Sequence, residues 1–198
     1  KAYEDTTDVL DLLDTAQNDL FNLVESNFKR GIRPILEVIG QAIEQIEMAK
    51  KNKSGISGVP TGFTRLDQVT GGFQNSDLLI LAARPGVGKT ALALSFLRNM
   101  AIKYKRPVAF FSLEMPAAQL VMRLMSAEAE IPSENLRTGR VSDTEMEILN
   151  DNLQKLSDAP IYIDDTAGLT LFELRAKCRR LKTQYDIQFV AIDYLQLM

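Results

Sequence analysis

One run of residues, Ala83-Arg84-Pro85-Gly86-Val87-Gly88-Lys89-Thr90, constrains the fold more than any other. It stands between an apolar stretch, Asp77-Leu-Leu-Ile-Leu-Ala82, and a segment of helical character from Lys89 to about Tyr104. A strand that is apolar throughout must be covered on both faces. A glycine-rich turn that leads from such a strand straight into a helix is the setting of a phosphate-binding loop. Gly86 and Gly88 open backbone conformations closed to other residues, so successive N–H groups can point inward at phosphate oxygens. The helix that follows turns the positive end of its dipole toward the same anion. Lys89 can reach β- and γ-phosphates, and the Thr90 hydroxyl can coordinate Mg²⁺. The pattern usually opens on glycine, and here Ala83 holds that position.

Downstream, the texture alternates. Val108-Ala-Phe-Phe-Ser-Leu113 reads as a second buried strand, Ile161-Tyr-Ile163 as a short one and Phe189-Val-Ala-Ile192 as the last. Pro116 sits where a helix would start, with Leu120, Val121 and Leu124 as its stripe. Ser142 with Glu145, and Thr170 with Glu173, carry the capping-box signature that opens a helix. This order predicts an α/β domain with a mostly parallel sheet covered on both faces. Composition agrees, because 198 residues at 45% hydrophobic and 25% charged suit one sizeable core and exclude a disordered chain. The apolar runs fall far short of the roughly 20 residues that cross a bilayer. A single cysteine, Cys178, allows no internal disulfide, and no secretory signal is visible, so a cytoplasmic protein is expected.

Two helical stripes precede this domain. Val9, Leu13, Ala16, Leu20 and Val24 recur at helical spacing, and after a break at Gly31-Ile-Arg-Pro34 so do Ile35, Ile39, Ala42, Ile46 and Ala49. The two could pack as a hairpin, or the first could be a tether whose stripe docks elsewhere. Residues 1–25 carry seven acids and one base, so the net charge of −3 hides an acidic head and a remainder of +3. That remainder neither demands nor excludes a nucleic-acid partner.

A phosphate site of this type needs a second carboxylate for Mg²⁺, and Phe189-Val-Ala-Ile-Asp193 delivers one straight from a buried strand. Hydrolysis also needs a group to orient or deprotonate water. Phe110-Phe-Ser-Leu-Glu114 places a carboxylate at the C-terminal end of its strand, where open α/β sheets present ligand-facing residues. Asp164 and Asp165 end another strand and are the rivals for that role. Arg175, Lys177, Arg179, Arg180 and Lys182 make the helix after Thr170 basic, suited to a solvated face, a subunit contact or DNA.

These residues carry a resemblance. The runs from Ala82 to Ala91, Phe111 to Met115, Leu136 to Gly139, Ile161 to Asp165 and Ile192 to Met198 resemble the DnaB family of replicative DNA helicases. Thr61-Gly-Phe63, Leu66-Asp67 and Gly71-Gly72 resemble the entry segment of RecA-like ATPases. The family accepts Ala at position 83. The resemblance implies a RecA-like P-loop ATPase core, incomplete on its C-terminal side and preceded by an α-helical linker: linker 1–31, partial motor 32–198. It implies a nucleotide site over residues 83–90, Lys89 and Thr90 as phosphate and Mg²⁺ contacts, Glu114 as catalytic glutamate and Asp193 as the second metal acid. ATP and Mg²⁺ are the implied cofactors. Single-stranded DNA, a primase and a helicase loader are the implied partners, with a homo-hexamer held through linker residues 8–30 and no membrane. The family's N-terminal domain, DNA-gripping loops and arginine finger fall outside these residues, so this stretch is not expected to unwind DNA by itself. Two rival readings are another RecA-like ring ATPase, of recombinase or clock type, and a non-catalytic piece that docks on helicase subunits.

Overall fold

A computed structural model describes residues 34–51 and 55–197. The chain divides into two compact units, residues 1–51 and 52–198. In the first, helix α1 (Ile35–Lys51) carries the second apolar stripe. The first stripe, Val9 to Val24, lies outside the described residues.

The second unit opens on a small knot of backbone. Val59 and Phe73 exchange both N–H···O bonds, at 2.7 and 2.8 Å, around helix α2 (Thr64–Thr70). Gly72 closes this turn at φ +81°, and a Cβ there would lie 2.9 Å from the Val59 carbonyl oxygen. Only glycine fits both the left-handed backbone and that approach. Buried Asp67 holds the knot from inside: its carboxylate accepts from the Thr61 N–H at 2.8 Å, the Thr61 hydroxyl at 2.7 Å and the Gly62 N–H at 3.1 Å. Asn99 ties it to the helix behind by donating to the Thr61 carbonyl at 3.1 Å. Asp67→Ala would strand a hydroxyl and an N–H of fully buried Thr61 without an acceptor. A loss of about 3 kcal/mol in denaturant unfolding is expected, with Asp67→Asn recovering part of it.

Helix α3 (Lys89–Arg98) continues into a π-helical turn, Asn99–Lys103, a wider ending than the plain helix expected to Tyr104. Then follow β1 (Val108–Ser112), α4 (Ala117–Ala129), α5 (Ser133–Thr138), α6 (Asp143–Ser157), β2 (Ile161–Asp164), α7 (Leu171–Tyr185), β3 (Phe189–Asp193) and a 3₁₀ turn at Leu195–Leu197. The sheet order is β2-β1-β3, all parallel, with Val108 opposite both Ile161 and Phe189. Every residue of β1 is buried. Val108 and Phe110 pack with Leu94, Leu97, Met100, Leu120 and Leu124 on one face, and Ala109 and Phe111 with Leu169, Leu174 and Ile187 on the other. This is the doubly covered parallel sheet expected of the alternating pattern.

Pro116 caps α4, and both capping boxes form in full: Ser142 and Thr170 accept from the N–H of Glu145 and Glu173, whose carboxylates reach back. Those reciprocal hydrogen bonds hold both glutamates below the usual carboxylate value. Within the α4 stripe, Leu120 and Leu124 are buried while Val121 faces out. Cys178 packs half-buried against the second cluster, and that burial raises its thiol pKa. Among the described residues, no helix is long and apolar enough to cross a membrane.

One expectation fails. Residues 77–82 form no ladder among the described residues, and their side chains are exposed, Leu78 to 86% and Ile80 to 85%. An apolar run acquires strand structure only when a neighbour takes its N–H and C=O groups, and the three-stranded sheet does not extend to this one.

Candidate functional site

Parallel strands with helical crossovers bring their C-terminal ends to one edge, and loops from that edge form the natural ligand crevice. Here the edge gathers residues far apart in sequence. Ser112, the last residue of β1, lies opposite Asp193, the last of β3, and the Leu113 N–H donates to the Asp193 carbonyl at 2.8 Å. The end of β1 and the end of β3 are thereby locked side by side.

Before α3, the loop curls as its glycines allow: Gly86 stands at φ +79° and Gly88 at φ +104°. Ala83, Arg84, Pro85 and Val87 complete the loop and are exposed. Gly88 sets the helix start, its carbonyl accepting from the Leu92 N–H at 2.9 Å, so the amide ends of α3 open toward this loop. Lys89 and Thr90 both turn to buried Asp193. The Lys89 ammonium lies 2.8 Å from one carboxylate oxygen, and the Thr90 hydroxyl donates to the other at 2.5 Å. The Lys89 ammonium also sits over the Tyr194 ring, 4.6 Å from its centroid. Lys89, Thr90 and Asp193, singled out separately in the sequence, thus form one cluster.

Glu114 lies two residues past the end of β1, on an exposed turn. Ser112 shapes that turn, accepting from the Met115 N–H at 3.1 Å and donating to the Met115 carbonyl at 2.6 Å. Glu114 has no hydrogen-bond or ion-pair partner among the described residues, which leaves its carboxylate free for a ligand or water. Its rivals are occupied. Asp164 accepts from Lys177 and from the Thr166 N–H. Burial opposes ionisation of Asp164, but the Lys177 hydrogen bond with those from Thr166 outweighs it and holds the carboxyl below its usual value. Asp165 accepts from the Ala117 N–H at 2.8 Å, at the start of α4.

The basic helix α7 spends part of its charge internally, Lys177 on Asp164 and Lys182 on Asp186, while Arg175 and Arg179 are exposed. The donor set at the strand ends is hard oxygen, a hydroxyl beside a carboxylate, with glycine-opened amides and an ammonium adjacent. That combination suits Mg²⁺ and the phosphates of a nucleotide. Tyr194, Ser112 and Asp67 stand in the sequence only inside the runs that carry the resemblance, with no role of their own; the signal available for Tyr194 is its place directly after Asp193.

The model of the DnaB-like helicase C terminal domain matches residues 58–198. The chain belongs to the DnaB-like helicase family. It is 46% identical to the replicative DNA helicase DnaB of Geobacillus stearothermophilus over 98% of this chain and 42% of that protein. To the replicative DNA helicase DnaC of Bacillus subtilis it is 45% identical, over 99% of this chain and 43% of that protein. The chain therefore spans less than half the length of these DnaB-type relatives. Among solved structures it matches the ATPase domain of G40P with TM-score 0.75 and 32% identity, covering 84% of this chain and 58% of the other. It also matches a DnaB-like replicative helicase, from a structure showing its interactions with primase, with TM-score 0.73 and 29% identity over 94% of this chain and 48% of the other. The parallel sheet with helices on both faces is accordingly a RecA-like DnaB ATPase core.

Proposed function

We propose that this chain is part of the ATP-driven motor of a replicative DNA helicase, with ATP and Mg²⁺ as its cofactors. The observation that carries this reading is the convergence of Lys89 and Thr90 on Asp193 at the strand ends, beneath a loop opened by Gly86 and Gly88. Lys89 binds the β- and γ-phosphates. The loop amides and the start of α3 hold their oxygens. Thr90 and Asp193 would hold Mg²⁺, which neutralises phosphate charge when bound. Glu114, two residues past the neighbouring strand end, orients the attacking water and takes its proton. Residues 83–90 exclude solvent from one side of the phosphates.

Residues 1–31 are assigned as a linker and 32–198 as part of the motor, acting in the cytoplasm on single-stranded DNA; the family match over 58–198 supports the motor part from Gly58 onward. A homo-hexamer, a primase and a helicase loader are the proposed partners; one of the solved relatives is named for its interactions with primase. The linker stripe of Val9, Leu13, Ala16, Leu20 and Val24 needs an apolar seat, since such a face is costly in water. The groove of about 480 Å³ lined by Met122, Met125, Leu136, Val141, Met146 and Leu149 offers one on a neighbouring subunit. Burying a leucine fully contributes roughly 1.5–3 kcal/mol, so two of them decide whether such a contact holds. Leu13→Asp with Leu20→Asp, in the longer protein that carries this chain, is expected to weaken the ring and ATP-dependent separation of a forked duplex while the motor domain from Ile32 onward stays folded. Full-size rings combined with a lowered melting temperature would mean that the stripe packs within its own subunit.

A further inference from the structure

The Lys89 ammonium has two partners, and the sequence motifs account for one of them. Asp193 is the expected counter-charge. The other is the face of Tyr194, 4.6 Å from ammonium to ring centroid, inside the roughly 6 Å range over which a cation is drawn to an aromatic face. Among the described residues the Tyr194 hydroxyl has no hydrogen-bond partner, so the ring carries the contact. Tyr194 is only partly exposed, and β3 ends on Asp193 directly before it, so one strand end places both the carboxylate and the ring. We propose that Tyr194 is a positioning residue for the phosphate-binding lysine, its ring face keeping the Lys89 ammonium in the site when Asp193 is drawn to a metal ion.

The physical need is specific. Lysine carries its charge on a flexible four-carbon stem, and 31% of the Lys89 side chain is open to water. Its present anchor, Asp193, is shared with Thr90 and is the group that would also serve Mg²⁺. A second carboxylate beside Lys89 would repel phosphate. An aromatic face attracts the ammonium without net charge, so it holds Lys89 and leaves the phosphate unopposed.

The proposal rests on the nucleotide reading of residues 83–90, and its test separates the two. Mg·ATP is titrated into the full chain carrying Tyr194→Phe, Tyr194→Leu, or phenylalanines at 194 with increasing fluorination, which drains charge from the ring face at constant size. Tyr194→Phe should bind as the parent does, and Tyr194→Leu about 3- to 10-fold more weakly. Affinity should fall stepwise with each fluorine, a readout that survives even if the leucine variant fails to fold. A flat fluorine series, or a phenylalanine variant as weak as the leucine one, overturns the role of the ring while leaving the phosphate loop in place. Lys89→Ala in the same titration should lose binding; parental affinity there would overturn the nucleotide reading and the Tyr194 proposal together.

Discussion

Replacing Lys89 by alanine is expected to abolish ATP binding and turnover while the domain stays folded. The Lys89 side chain is 31% exposed and its working end meets Asp193 and the Tyr194 ring, so truncation removes charge from a ligand site and little from the core. Hydrogen bonds to charged groups contribute about 1.5–3 kcal/mol each, and loss of two phosphate contacts corresponds to an affinity drop on the order of 10²- to 10⁴-fold. Thr90 still donates to Asp193 in the variant, so the carboxylate is not left unpaired. Nucleotide titration and ATPase assays in the assembled protein, beside a thermal melt, measure both halves. Parental affinity and turnover would remove Lys89 from the site.

The elements that were legible in the sequence are those specified by their own residues. The continuous apolar run Val108 to Phe111, rich in aromatic and β-branched residues, reads as a strand covered on both faces, and β1 is that strand. Ser142 with Glu145 and Thr170 with Glu173 satisfy helix N–H groups locally, so α6 and α7 begin where the motif places them. Pro116 fixes the entry to α4 for the same local reason.

What was not legible depends on partners elsewhere. Leu78 to Leu81 have the composition of a buried strand, yet composition does not say which ladder takes their backbone, and in this structure none among the described residues does. Val121 fits a helical stripe by spacing, but the sheet lies on the side of Leu120 and Leu124, so it points away. Asp67 stands in the sequence only as part of the entry segment, and its burial beneath Thr61 and Gly62 depends on how that segment closes. The candidate site divides in the same way. Lys89, Thr90, Glu114 and Asp193 were each visible from a strand-end or loop pattern. That Thr90 and Asp193, 103 positions apart, share a hydrogen bond follows from the packing of α3 against β1 and β3, which no local pattern encodes. The Tyr194 ring beside Lys89 follows from that packing as well.

The nucleotide site is tested most directly at Glu114, because binding and chemistry should come apart there. Glutamine keeps the size and hydrogen-bonding reach of the side chain but cannot accept the proton of an attacking water. Lys89, Thr90 and Asp193 hold one another without Glu114, so Mg·ATP affinity should stay within a few-fold of the parent. Turnover should fall by about 10²- to 10⁴-fold, the usual contribution of a positioned general base. Parallel measurement of Mg·ATP affinity and single-turnover hydrolysis for Glu114→Gln, in the longer assembled protein, gives both numbers at once. Retained affinity with turnover reduced at least about 100-fold is the expected result; near-parental turnover would contradict a general base at Glu114 and move that role to another carboxylate.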